Sequence, residues 1–302
     1  MSVLVVGSVA FDSIKTPFGN APDILGGSAS YFSIAAGFFT QVRLVAVVGD
    51  DFGDEHIQVF TSKAVDIRGL EKVPGKTFHW AGEYARNMNY RTTLDTQLNV
   101  FADFSPKIPS DYSQSEYLFL GNIDPALQWK VLQQVTKPRL VACDTMNYWI
   151  SGHRSALLHT LKYIDILIIN DQETCELAEE ESLNLAIPRV LSLGPRILVI
   201  KRGEHGVFVV APGLKFFVPA FPVEEVKDPT GAGDTFAGGF MGYLAGARDH
   251  SLEHLKKATV CGSVMASFCV EKFGLMRLLE LTFPEITARF KEFQRMTQFQ
   301  DL

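Results

Sequence analysis

The sequence lacks several things, and each shortage removes a class of function. Its apolar runs fall well below the roughly 18 residues a membrane-spanning helix needs, so no membrane partner is expected. It has no Lys/Arg-rich block, and its formal net charge is -6, which argues against a dedicated nucleic-acid binder. Its cysteines, Cys143, Cys175, Cys261 and Cys269, contain no CxxC pair and read as buried thiols rather than disulfides or zinc ligands. Its 7 histidines show no HxH or HExxH spacing, so no His-bound catalytic metal is expected. Near the start, Val3-Leu4-Val5-Val6-Gly7 brings no basic leader and no cleavage site, which makes the cytoplasm the expected compartment. A Walker-type GxxxxGK[ST] loop is missing, and Gly7-Ser8-Val9-Ala10 is not a dinucleotide-binding GxGxxG.

What is present is the pattern of one α/β domain over 1–302, long enough to bury a large core. Nearly continuous apolar runs at 3–7, 42–49, 117–121, 140–144, 164–170 and 197–201 read as buried strands. Helical stretches at 28–39, 52–63, 126–135, 153–161 and 173–180 fall between them. Strands buried on both faces and alternating with helices predict a doubly wound, mostly parallel sheet covered by helices. From 236 to about 298 the chain reads as helical, with Pro284 at the start of the last helix.

Two segments break this rhythm. Over 77–101, Phe78, Trp80, Tyr84, Met88, Tyr90, Leu94, Leu98 and Val100 share one parity, and polar residues such as His79, Glu83, Asp95 and Gln97 occupy the other. A period of two gives antiparallel strands with one apolar face. The segment 12–25 is expected to add further strands. Such a small sheet must cover something, either a substrate as a lid or a second copy as a homodimer contact.

The chemistry concentrates in Asp228-Pro229-Thr230-Gly231-Ala232-Gly233-Asp234-Thr235-Phe236. Gly231, Ala232 and Gly233 let the chain turn tightly into a helix whose first-turn amides are unpaired, and amides with a helix dipole behind them form an anion hole. Asp234 enters the same turn, where its carboxylate can take the proton of an incoming hydroxyl, and the dipole is expected to keep it ionised. Donors around a moving phosphoryl group plus a proton acceptor are what phosphoryl transfer requires.

This stretch resembles, position by position, the C-terminal pattern of the ribokinase-like (PfkB) carbohydrate and nucleoside kinases. Other landmarks follow in the family's order: Gly26-Gly27-Ser28-Ala29, Gly49-Asp50-Asp51-Phe52-Gly53, Asn170-Asp171-Gln172-Glu173 and Lys201-Arg202-Gly203-Glu204-His205-Gly206. The resemblance implies a doubly wound sheet with a small β-sheet lid, and a kinase moving the γ-phosphoryl of ATP to a hydroxyl, a primary CH2OH, of a sugar or nucleoside. By it, Asp234 is the catalytic base over the hole made by Gly231, Ala232 and Gly233. Asp12 would bind two substrate hydroxyls beside Gly26 and Gly27, and Gly203 and Lys201 would lie on the nucleotide side. Asn170 and Glu173 would hold Mg2+, partly through water. Asp228 and Thr230 match positions that supply ligands to a monovalent cation, K+, in those members that have one. Asp144 and Asn147 resemble a DxxN-like element of some relatives. Ser28 departs from the ribokinase pattern, where a Lys follows the two glycines, which counts against ribose itself. A catalytically inactive, ligand-binding regulator on the same scaffold is the alternative, opposed by the intact Asp234, Asn170 and Glu173.

Overall fold

A computed structural model describes residues 2–298; residues 1 and 299–302 of the expected domain lie outside the described residues. In chain order the elements are β1 (Ser2–Val6), β2 (Ala10–Thr16), β3 (Gly19–Gly26), α1 (Ser28–Ala36), β4 (Gln41–Val48), α2 (Asp54–Ser62), β5 (Val65–Lys72), β6 (Phe78–Tyr84) and β7 (Arg91–Gln97). Then come β8 (Tyr117–Leu120), α3 (Pro125–Leu132), β9 (Leu140–Asp144), α4 (Asn147–Gly152), α5 (Arg154–Leu161), β10 (Ile166–Asn170), α6 (Asp171–Ala178), α7 (Leu183–Ser192) and β11 (Ile197–Lys201). The chain ends with β12 (Val207–Ala211), β13 (Leu214–Val218), α8 (Ala232–Ala247), α9 (Leu252–Cys269), α10 (Met276–Glu280) and α11 (Phe283–Thr297).

The main sheet has 9 strands in the order β13-β12-β11-β10-β9-β8-β1-β4-β5. All neighbours are parallel except at one edge, where β12 and β13 run antiparallel. Alternation along each strand sorts the core into two layers. Val3 and Val5 face the layer of α1, α8 and α9, with Phe32, Phe240 and Met265. Leu4 and Val6 face the layer of α3, α5 and α7, with Val131, Leu157 and Val190. The chain leaves β1 toward β4 and β5 on one side and later returns through β8 to β13 on the other. Strand order therefore reverses at β1 and β8, and the carboxyl ends of the central strands open on a crevice there.

Sheet two is the expected lid, with order β3-β2-β6-β7. It grows out of the chain just after β1 and just after β5. Its period of two holds through Phe78, Trp80 and Tyr84 but slips at an irregularity between Ala81 and Gly82. On β7 the apolar face stands open: Leu94 is 57% exposed, and Tyr90 beside the strand is 72% exposed.

Where the structure adds to the sequence reading, the reasons are local. β5 and β13 mix polar with apolar residues because they lie at the two sheet edges. Helix α7 carries Pro188 inside it, a residue that argues against helix, yet buries Ala186, Ile187 and Val190. The last helix starts as expected: Pro284 sits in its first turn, and Thr282 and Glu285 form a reciprocal cap.

Candidate active site

The site lies at the carboxyl ends of the parallel strands. Asp144, Asn170 and Lys201 close β9, β10 and β11, and register pairs Asn170 with Lys201. Lys201 Nζ lies 3.1 Å from Asp144 Oδ2, with both side chains largely buried. Burial alone would lower the Lys201 pKa, but the charges of Asp144, Glu173 and Asp234 outweigh it and hold the pKa above its ordinary value. Lys201 is thus a buried ammonium ion and not a solvated surface charge. A Cβ added at Gly233 would stand 3.1 Å from Lys201 Nζ, so the ammonium ion abuts the glycine turn itself.

That turn has the anticipated shape. Gly231 caps α8 in a left-handed conformation (φ 72°), and a Cβ there would strike the Tyr31 ring at 2.4 Å. The amide of Ala232 donates to Pro229 O at 3.2 Å, closing the turn. Among the described residues, Gly231 and Gly233 keep amides without a protein acceptor. Of the three amides of the turn, those of Gly231 and Gly233 are therefore open to an anion and that of Ala232 is engaged.

Asp234 enters the first turn of α8. The expectation that the dipole holds it fully ionised is corrected: burial and the nearby charge of Asp144 push its pKa up to about 7, against the pull of Lys201 and Arg91. Asp12, on β2, is likewise raised to about 7 by burial, and the charges of Asp228 and Asp234 add to the effect. The same two glycines that follow the lid strand hold Asp12. A Cβ on Gly26 would meet its carboxylate at 1.9 Å, and Gly27 (φ 89°) donates its amide to it. Ser28 turns away from the crevice to pair with Ser8, Oγ to Oγ at 3.1 Å.

Asn170 and Glu173 form a reciprocal cap on α6. Glu173 N donates to Asn170 Oδ1 at 2.7 Å, and Asn170 N donates to Glu173 Oε2 at 2.8 Å. Burial raises the Glu173 pKa to about 7. The second carboxylate oxygen, Oε1, has no partner among the described residues. A half-buried carboxylate with one free oxygen suits Mg2+ that keeps waters and phosphates as its other ligands. No cluster of three or more acidic, His or Cys residues among the described residues could hold a metal without such help.

Asp228 is fully buried and accepts from Thr230 N and Gly274 N, each at 2.8 Å. Thr230 Oγ1 donates to the Tyr84 hydroxyl at 3.1 Å. These two residues thus tie the glycine turn to the 270–274 loop and to the lid. Asp51 accepts from Thr77 N and Oγ1, and Asp50 from Gly75 N, so the Gly49–Gly53 motif anchors the entry of β6. Asn147 is exposed at the start of α4, apart from Asp144.

Beside the turn lies a cavity of about 530 Å³ whose walls include Gly203, Val223, Val226, Phe236, Ser263 and Val270. Gly203 has a positive φ of 53°. Ser263 Oγ is buried there without a partner. Sequence reading found Gly203 but none of the apolar wall, because single valines and a serine on ordinary helices and loops carry no motif. Arg91, whose charge reaches Asp12, Glu173 and Asp234, was missed for the same reason.

Residues 24–281 match the pfkB family of carbohydrate kinases. The cytidine kinase of Thermococcus kodakarensis is 30% identical over 253 residues, covering 82% of this chain and 90% of that protein. The nucleoside kinase of Methanothermobacter thermautotrophicus is 27% identical over 295 residues, 90% of each. The structure of Burkholderia thailandensis nucleoside kinase in complex with inosine superposes with TM-score 0.79 at 18% identity, covering 96% of this chain and 98% of that one.

Proposed function

From the premise that the chain belongs to the pfkB family of carbohydrate kinases, and so is a phosphotransferase acting on an alcohol group, we propose that its acceptor is a nucleoside. ATP would donate the phosphoryl group in the cytoplasm, with 1–302 acting as one kinase domain. The observation that carries the reading is the convergence of Asp12 and Asp234 on one site, where the charge of Asp234 reaches the Asp12 carboxylate.

Asp12 would accept hydrogen bonds from two hydroxyls of a vicinal diol, the pattern a ribose ring offers. That orientation brings the primary CH2OH to Asp234. The hydroxyl oxygen forms a bond to the γ-phosphorus, the bond from that phosphorus to the β,γ-bridging oxygen breaks, and the hydroxyl proton passes to the Asp234 carboxylate. ADP leaves with the electron pair of the broken bond. A base near pKa 7 suits the task better than the depressed one expected from sequence, since proton acceptors work best near ambient pH. Gly233 and Lys201 would neutralise charge on the transferred group. Asn170 and Glu173 would hold Mg2+ with its waters, and the ion would supply charge neutralisation between the phosphates.

The cavity beside Gly203 suits adenine, with Val223, Val226 and Val270 as walls and the orphaned Ser263 hydroxyl as a polar contact. Half-buried Trp80, on the lid opposite Asp12, offers a flat surface for a nucleobase. The name of the 30%-identical relative supports the same acceptor class.

The test is turnover of ATP with a panel of cytidine, inosine, adenosine, ribose and fructose. A nucleoside should exceed both sugars in kcat/KM by at least tenfold. A sugar in the lead would leave the kinase and overturn the nucleoside; no turnover with any alcohol would revive an inactive regulator.

A further inference from the structure

Strands β6 and β7 of the lid are joined by a hairpin whose tip leaves the small sheet and reaches the body. Ala85 N donates to Tyr90 O at 2.9 Å and Met88 N to Ala85 O at 2.8 Å, which folds the tip back on itself. Asn87, Met88 and Asn89 then line the cavity beside Gly203. Asn89 Nδ2 donates to Glu204 Oε1 at 3.0 Å, and Asn89 Oδ1 lies 3.9 Å from where a Cβ on Gly203 would stand. One side chain thus fastens the tip to the turn at Gly203, and the one before it overhangs the cavity.

That overhanging side chain is Met88, and its backbone is unusual. Its φ is 59°, in the left-handed region that glycine and asparagine enter far more easily than a long side chain does. Asparagines stand on both sides of it, yet the left-handed position itself carries the methionine. Its neighbours from Ala85 to Tyr90 are exposed, whereas Met88 is half-buried, so its burial comes from the cavity side. A strained residue that keeps one side chain over a cavity points to a contact that the cavity's occupant completes. Methionine suits a flat aromatic occupant, because its thioether is flexible and polarisable and packs favourably against rings. Val223, Val226 and Val270 on the body give such a ring an apolar bed.

We propose that Met88 is a further binding residue for the phosphoryl donor, a lid-borne cover over the adenine, and that the Asn89–Glu204 hydrogen bond positions it there. This rests on the phosphotransfer reading above, which puts ATP in this cavity, and adds the lid to the donor's site. Strand β6 runs from Trp80, opposite Asp12, to the hairpin whose tip meets the base, so donor and acceptor fasten the same sheet. Each then tightens the other's binding, and by the same factor.

Calorimetric titration with ADP and magnesium tests this without an acceptor. Glycine is at ease at φ 59°, so Met88→Gly removes the side chain and keeps the hairpin, which thermal unfolding checks. It should weaken ADP by about tenfold, and Met88→Leu should recover most of the loss. Asn89→Ala and Glu204→Ala should each weaken ADP about threefold, and the double variant no more than either, since all remove one bond. Irradiation of the wild type with 8-azido-ADP should label 87–89. Equal ADP affinity in the wild type and Met88→Gly, or a label confined to 220–226 and 263–270, would overturn the proposal. Losses that add in the double variant would overturn the positioning role of the Asn89–Glu204 bond. A wild-type protein that bound no ADP at all would instead overturn the placing of ATP in this cavity, the premise itself.

Discussion

Lys201 Nζ lies 3.1 Å from Asp144 Oδ2, an ion pair that bridges the carboxyl ends of β11 and β9 with Asn170 of β10 between them. The pair is sequestered and abuts Gly233, so it has both a structural and a chemical task. The two tasks separate by mutation. Lys201→Met leaves Asp144 buried without its partner and should destabilise the protein by about 3–5 kcal/mol. It should also cut kcat on the order of 10²-fold through the lost phosphate contact. Adding Asp144→Leu should recover most of the stability, because a buried pair replaced by apolar residues is often neutral. Activity should stay low in the double variant, as measured by thermal unfolding beside steady-state kinetics; recovered turnover would make the lysine purely structural.

Asp234→Asn should lower kcat on the order of 10²- to 10⁴-fold with nucleotide affinity nearly unchanged, since the carboxylate acts in the transition state. The wild-type kcat/KM should rise with pH through about 7, where burial has moved the Asp234 pKa. Asp12 is raised to the same region, so the profile reports the pair rather than one residue. A rate constant independent of pH between 6 and 8 would count against Asp234 as the base.

The same shifts dictate stability. Asp12, Glu173 and Asp234 have folded pKa values raised to about 7, above the unfolded values near 4. Between these limits the folded state holds more protons than the unfolded one, so stability falls as pH rises. Glu285, held down at about 2 by Thr282 and Arg277, acts only at lower pH. The apo protein should therefore melt at a lower temperature at pH 8 than at pH 5.5. Asp234→Asn should flatten that slope and raise the Tm at pH 8, as calorimetry would show, while lowering kcat as above.

How much of this was legible in the residues follows from how local each signal is. The buried strands were readable because both faces of β1, β9, β10 and β11 are apolar, and the lid strands because their period is two. Gly231, Gly233 and Asp234 announce themselves because a tight turn into a helix leaves few residue choices. Edge strands and α7 were not readable, since their apolar content is diluted by solvent or contradicted by Pro188. The Asp234 pKa was misjudged because a dipole is visible in sequence and burial is not. Arg91 and the Ser263 cavity wall come together only through tertiary packing of the lid and α9.

Glu173→Ala should raise the Mg2+ concentration for half-maximal rate, and acceptor binding measured without nucleotide should stay as it was. The reciprocal cap complicates the reading, because Glu173 also accepts from the Asn170 amide. Losing a cap costs about 1 kcal/mol, which lowers the Tm slightly but does not alter a metal titration. Glu173→Gln can keep the bond to the amide while removing the charge. If both variants need the same magnesium as the wild type, the motif is a helix start and no more.

The lid should answer to both ligands, but in different places. Strand β6 carries Trp80 opposite Asp12, whereas the tip at Asn87–Asn89 roofs the cavity beside Gly203, proposed above for the nucleotide, and is bonded to Glu204. Nucleotide alone should therefore slow hydrogen exchange in the tip, and the acceptor should extend protection into 78–84. Closure excludes water and strengthens the electrostatics around Asp234 and Lys201. Trp80→Ala should raise the acceptor KM by about tenfold and the ATP KM far less. Open apolar residues on the same sheet, Leu94 and Tyr90, allow the other cover, a second copy of the chain. In that case Leu94→Glu should halve the mass measured in solution and leave the exchange pattern alone. Protection of 78–84 that tracks protein concentration rather than ligand would replace the lid with a dimer seam.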